Sequence, residues 1–423
     1  MTTVTVVTDA FIELGREISA VLGSSDAVTS VIAHPLGDLA AAVVNTRSHA
    51  ALPDILAKLR AVRSDPAQVP QESVQRLADV AGTWEHINDY FYRQGWTDGL
   101  PIVPPESWKV DAMIGACRHA AETVIGTVAP KMGLATVEKI AVNAVMAGCE
   151  PAYFPVVLAA VEAVCHPDFN LLAMQATTNP VTPMLIVNGP LARELDINSG
   201  CNVLGQGWKS NATIGRALRF VLNNIGGGMP GKLDRACHGQ PGKFSLCIAE
   251  NEAASPWEPY HVERGYAADE STVSVIGVAG TQDIIHYART SARKVLDTLL
   301  HAIPREGHKN LYSGGEPLLI IGPEQAAILG KEGISKAALK QEIFDGTRVP
   351  VTLFNLETLE LIRGRRPRCF AGSGAPAAIP IADQPQDIQI VVAGGAGNHS
   401  VFVPTWGDTR CVTAPTGRHV LAS

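Results

Sequence analysis

"MLIVNGPLARELDIN", Met184 to Asn198, and "LLIIGPEQAAILGKEGIS", Leu318 to Ser335, decide the fold of this chain. Each opens on an apolar run closed by Gly-Pro and continues into helix-forming residues. Such a run reads as a buried strand feeding a helix, because proline suits the first helical turn and little else in a helix. A longer helix follows each, over Ala212 to Asn223 and Lys336 to Asp345. Another apolar strand then comes, in "FSLCIAEN" from Phe244 and "IQIVVAGG" from Ile388. Ile186 and Ile248 are 62 residues apart, Ile320 and Ile390 are 70 apart. The order repeats even though the spacing drifts. We expect two related α/β halves, 184–315 and 316–423, with a pseudo-two-fold relation, packed side by side with converging strand ends. Proteins of this class keep reactive groups at the carboxyl ends of their strands.

Upstream the pattern is different. Residues 107–183 form a helical segment, with runs over Val110 to Ala121, Thr136 to Ala147 and Pro155 to Val164. Thr136 is the N-cap expected for the second run. Residues 62–106 hold a Pro-containing linker, a helix over Val74 to Arg93 and the loop "GWTDGLPIVPPE", Gly95 to Glu106. Three prolines there forbid regular structure. Residues 1–61 begin with "TVTVV", a helical stretch from Asp9 to about Gly23, and "SVIAHPLGD", Ser30 to Asp38. This is a βαβ fragment of a parallel sheet, ending near Val44. Two parallel strands cannot cover both of their faces, so the fragment reads as a docking unit completed by another chain.

Hydrophobic residues make up 46% and the net charge is −7, with no basic run, which argues against nucleic acid. No 18-residue apolar run occurs, and the start lacks a signal-peptide pattern. The cytoplasm is the expected location. The eight cysteines are scattered with no C-x-x-C, and the twelve histidines lack H-x-x-x-H spacing. No metal or cofactor is expected.

Two strand ends carry candidate chemistry. After "FSLCIA" come Glu250, Asn251 and Glu252, then a Trp257-Glu258-Pro259 turn and His261: two carboxylates, an amide and a histidine where α/β proteins place reactive groups. After "IQIVVA" come Gly394, Gly395 and Gly397, then His399 and Ser400; glycines can present backbone N–H groups to an anion. Cys149 sits at a helix end in "GCEP". A thiol there is activated at a helix N-terminus and not at a C-terminus. Asn202 lies in the Gly- and Asn-rich "SGCNVLGQG", and Lys243 precedes the Glu250 strand. The expected roles are Glu250 or Glu252 as general acid or base, His399 as proton donor, Cys149 as a nucleophile, and Lys243, Asn202, Asn251, Ser400 and the glycines as substrate-binding groups.

The blocks "GWTDGLPIVPP", "ATVEKIAVNAVMAGC", "NATIGRALRFVLNNIGG" and "PGKFSLCIAENEAASPWEPYH" resemble the large domain of UGSC-type proteins, over about residues 84 to 415. In that family a Sec-Gly-Ser-Cys or Cys-Gly-Ser-Cys motif lies in a preceding domain. The opening unit is similar to the end of that domain, and its His-Pro-Leu-Gly also to the selenoprotein B component of glycine, sarcosine and betaine reductases. No Gly-Ser-Cys precedes Thr3, and the first cysteine is Cys117. The resemblance therefore implies a small partner subunit carrying a Gly-Ser-Cys-type thiol segment, in a likewise oligomeric enzyme. This chain would be its large subunit, acting on a carbon–heteroatom bond of a small polar, carboxylated substrate by reductive cleavage, elimination or transfer. Two alternatives stay open: a stand-alone lyase or hydratase using its own Cys149, Cys247 or glutamates, and a non-catalytic scaffold subunit.

Overall fold

The computed structural model describes residues 4–21, 27–37, 39–61, 79–287, 290–303, 307–370 and 376–421. The expected linker and the first residues of the helix placed at Val74 lie outside these.

The chain opens on β1 (Thr5–Thr8), α1 (Ile12–Val21) and β2 (Thr29–Ile32), with the strands parallel and Thr5 opposite Thr29. The βαβ unit is as read. It does not end near Val44: α2 (Ala41–Ala61) runs through that point with Pro53 inside it. No side chain of α2 is buried, and Val6, Val31, Leu52 and Leu56 are exposed. Glu17 of this unit pairs with Lys131 of the body at 3.1 Å.

Next, α3 (Trp84–Arg93) starts at Thr83, whose hydroxyl accepts the His86 N–H. The Pro-rich loop is irregular, as expected. It is pinned by Asn88, which accepts the Ile102 N–H at 2.7 Å, and by Arg216, which grips Asp98 at 2.7 and 2.8 Å. The helical run expected to reach Ala121 stops early in α4 (Ser107–Ile114). It gives way to a hairpin of β3 (Val124–Val128) and β4 (Gly133–Thr136). Then α5 (Val137–Ala147) starts at the predicted cap, Thr136 accepting the Lys139 N–H. Two further helices, α6 (Phe154–Cys165) and α7 (Leu171–Ala176), complete the helical segment.

From here strands dominate. The first half contributes β5 (Thr182–Asn188), α8 (Pro190–Glu194), α9 (Lys209–Asn224), β6 (Cys247–Ala249), α10 (Tyr260–Glu263), β7 (Thr272–Val278) and β8 (Gln282–Ile285). The second follows with α11 (Ala292–Ala302), α12 (Lys309–Ser313), β9 (Leu318–Ile321), α13 (Pro323–Lys331), α14 (Lys336–Gly346), β10 (Arg348–Pro350), α15 (Leu356–Arg365) and β11 (Ala378–Pro380). It closes with β12 (Gln389–Val392), β13 (His399–Val403) and β14 (Val412–Pro415).

Two four-stranded sheets result, ordered β6-β5-β7-β14 and β12-β9-β13-β8. In each, the first two strands are parallel and the remaining neighbours antiparallel. The fourth strands are exchanged: β8 follows β7 in sequence yet pairs with β13, whereas β14 follows β13 yet pairs with β7. The sheets therefore do not follow a division at residue 315. Ile186 lies opposite Ile248, as the spacing implied. Ile320 lies opposite Val391, one residue beyond Ile390. With a side-chain period of two, that one residue decides the face: Val391 turns to the other sheet and Ile390 to the helices.

Alternation sorts the core into layers. Met184, Ile186, Ile248, Ile276, Leu318, Ile320, Val391 and Val403 meet in one cluster between the sheets. Leu185, Val187, Cys247 and Val275 face α5, α6 and α9, while Leu319, Ile321, Ile390 and Phe402 face α11, α13 and α14. The packing is thus face to face, helix–sheet–sheet–helix, and not the side-by-side arrangement expected. Burial on both faces explains the unbroken apolar runs. Among the described residues no single helix is long and apolar enough to cross a membrane.

Candidate functional site

The carboxyl ends of β5 and β6 carry a row of polar side chains. Asn188 stands two residues beyond Ile186, Glu250 two beyond Ile248, and Thr272 lies opposite Asn188 on β7. All three therefore share the inter-sheet face, at its rim, side by side on neighbouring strands. All three are buried.

The Asn188 amide nitrogen donates to Glu250 Oε2 at 2.6 Å and to Glu252 Oε1 at 3.0 Å. Glu250 Oε2 also accepts the Tyr260 N–H at 2.6 Å, and Glu252 Oε1 accepts the Gly189 N–H at 2.7 Å. Gly189 has φ +87, and an added Cβ would lie 2.2 Å from Glu270 O, so only glycine fits the turn that aims this N–H. Arg193 reaches Glu252 Oε2 at 3.5 Å. His261 is fully buried, its Nδ1 3.9 Å from Glu252 Oε1, too far for a hydrogen bond.

Five buried atoms here have no hydrogen-bond partner: Asn188 Oδ1, Glu250 Oε1, Thr272 Oγ1 and both ring nitrogens of His261. Buried polar atoms are nearly always paired, and this concentration of unpaired ones makes the row the candidate site. Burial pushes the Glu250 carboxyl above the ordinary carboxylate range. The positive charge of Lys336 and the N–H bonds from Tyr260 and Asn188 oppose this, and the neighbouring Glu252 charge adds to it. Lys336 is itself held by Glu258 O at 2.9 Å and by Glu263 at 3.0 Å. Among the described residues no group of three His, Cys, Asp or Glu side chains is placed to hold a metal ion.

Of the residues singled out in the sequence, Glu250 and Glu252 come together here. Asn251 is adjacent but structural: its N–H donates to Val392 O at 2.7 Å, tying the end of β6 to the end of β12. His399 belongs elsewhere. It opens β13, which occupies the place of β7, so its counterpart is Thr272 and not Glu250. Its Nδ1 meets Asp283 at 2.9 Å on the exposed edge formed with β8. Ser400 is buried against His286 at 3.2 Å and accepts the Gly322 N–H. In the glycine turn, the Gly394 N–H is taken by Ser199 O and the Gly397 N–H by Glu324, so neither awaits an anion. Gly395 packs against Cys201, where a Cβ would approach to 2.9 Å.

Lys243 precedes β6 and so lies at the end opposite Glu250, in an ion pair with Asp234. Asn202 binds Gln206 within its own exposed loop. Cys149 follows the C-terminus of α5, and burial pushes its thiol up to about 12, with Thr213 and Lys209 opposing. Burial raises Cys247 further still. Neither is an activated thiol. Sequence reading placed His261 beside the carboxylates but did not single out Asn188, Tyr260, Thr272 or Lys336. The one local signal was an amide closing the apolar run "MLIVN" before Gly-Pro.

Residues 1–61 match the model of the UGSC family. That match supports the UGSC side of the resemblance, within the βαβ unit and α2, and carries no support for the likeness to the reductase component. No curated protein matches the chain.

Proposed function

We propose that this chain breaks or forms a carbon–heteroatom bond of a small polar molecule by proton transfer from its own carboxylates, as a lyase. The observation that carries this reading is the row of buried, unpartnered polar atoms around Glu250. A carboxyl whose pKa is raised by burial holds its proton more tightly than a free one and can give it to a leaving group. Glu252, held by the Gly189 N–H beside it, takes the complementary role of base. The base removes a proton from carbon, and the C–H pair becomes the new double bond. The bond to the heteroatom breaks, and Glu250 protonates the group that leaves. The raised thiol values at Cys149 and Cys247 favour the glutamates over the cysteines within this reading.

The test is solvent-deuterium exchange. The protein is incubated in D2O with a panel of small polar metabolites, and deuterium at carbon is read by mass spectrometry. Glu250→Gln keeps the shape of the side chain and should slow exchange about 10²–10⁴-fold with folding intact. No exchange in any sample, or equal exchange in the variant, would overturn the proposal.

The thiol-dependent reading, with this chain as the large subunit of a heteromer, is favoured by one different observation: the exposed apolar side chains Val6, Val31, Leu52 and Leu56, within the segment that matches the UGSC family. Lys131, where this unit touches the body, bonds Gly226 beyond the C-terminus of α9, at the end of the sheet away from Glu250. A partner thiol docked there would approach from the wrong side for this row. Under the thiol reading, Val31→Asp should weaken capture of a short Gly-Ser-Cys-bearing polypeptide by tenfold or more, about the effect of placing a charge in an apolar interface. Unchanged capture, or none by the wild type, would sink it.

A further inference from the structure

We infer that the polar row seats one hydroxyl-type oxygen, so that the bond made or broken is carbon–oxygen and the group that leaves or adds is water. The inference rests on the acid–base reading above and names its heteroatom.

The donor and acceptor inventory drives it. The Asn188 Nδ2 lies against two carboxylate oxygens, which only a donor can do, so the orientation of the amide is fixed. Its Oδ1 is then an acceptor with nothing to accept. Glu250 Oε2 already takes two N–H groups, so a proton on this carboxyl sits on Oε1, the oxygen without a partner. Strands in register place these two residues about 4.8 Å apart, with the Thr272 hydroxyl on the other side of Asn188. A guest atom that meets both orphaned oxygens must accept from Oε1–H and donate to Oδ1. A hydroxyl oxygen does both. An ammonium has no lone pair to accept with. A carboxylate has no proton for Asn188, and it or a phosphate would set its negative charge against Glu252. A thiol is weak in both roles. The carboxylated part of a substrate, if there is one, must therefore lie outside the row.

In the elimination direction the C–O pair leaves with oxygen, Oε1–H protonates it, and water departs. Glu252 holds the proton taken from the adjacent carbon. Addition is the reverse, and no oxidant or reductant is involved.

Crystals of the full chain soaked separately in ethylene glycol, methylammonium chloride and sodium acetate test this, with thermal shifts in the same solutes. Gln presents an N–H where protonated Glu250 presents O–H. A glycol hydroxyl should therefore seat beside Asn188 Oδ1 in wild type and in Glu250→Gln. In Glu250→Leu its apparent affinity should fall about tenfold or more, as expected for one lost buried hydrogen bond. The shift in each variant cancels the bulk effect of glycol. Thr272→Val serves as the second variant should the leucine protein not fold. Methylammonium seated in wild type but not in Glu250→Gln would overturn the oxygen while leaving the acid–base site standing, and seated acetate would overturn it too. A row that stays empty in every soak, with all proteins shifting alike, would overturn both.

Discussion

The two sheets share strand order, strand direction and an exchanged edge, yet only one carries a row of buried polar groups at its rim. Stepping two residues past Ile186, Ile248 and Ser274 gives Asn188, Glu250 and Thr272. The same step past Ile320, Val391 and Val401 gives Gly322, Ala393 and His399. Gly322 leaves no room for an amide, since a Cβ there would lie 2.2 Å from His399 O. One rim thus carries unpartnered polar groups, whereas the other closes the turn between β9 and α13. Repeating a topology repeats the backbone scaffold; chemistry depends on which side chains stand at equivalent positions.

The halves differ again in their buried arginines. In the second, Arg366 pairs with Asp383 at 2.8 Å and donates to Asn310 O, Leu311 O and Pro380 O. In the first, Arg219 donates only to neutral acceptors, Lys243 O, Gln175 Oε1 and Thr182 Oγ1, with Asp234 occupied by Lys243. Arg366→Met should therefore cost the more, about 3–5 kcal/mol, by stranding Asp383. Arg219→Met should cost about 1–3 kcal/mol, because it leaves neutral groups unserved. Urea unfolding of the two variants measures both, and equal losses would show that the second half gains nothing from its carboxylate.

A smaller effect probes the polar row through pH. The folded-state pKa of Glu250 is raised above the value of 4.5 ordinary for a free glutamate. The folded protein then holds a proton that the unfolded chain has released. Stability from this group is full below about 4.5 and is lost as pH rises toward the folded value. The unfolding free energy of wild type minus that of Glu250→Gln should fall across this window, with a slope of at most about 1.4 kcal/mol per pH unit. Ala393→Ser, at the matching position of the other sheet, should show no such slope. A flat difference for Glu250→Gln would mean that water reaches the carboxyl.

How much of this was legible in sequence follows from range. The strands β5 and β9 were readable because Gly-Pro closes each locally, and Thr136 because a cap acts within three residues. The antiparallel strands β7, β8, β13 and β14 went unread, since short strands gain their identity from partners far along the chain. Glu250 could be placed at a strand end by position alone. Two of its neighbours could not: Asn188 and Thr272 join the row only through the pairing of β5 with β6 and β7. The likeness of Glu250 to His399 failed for the same reason, because the topology sets His399 against Thr272.

The exchanged strands have a consequence for synthesis. The sheet of the first half is closed by residues 412–415, so most of the chain must leave the ribosome before β7 acquires its neighbour. Until then its open edge is a template for any extended segment nearby. β8, made before β13, waits in turn for it. Neither half can finish alone, and the nascent chain carries two unmet pairings from the emergence of β7 and β8 until β13 and β14 are made.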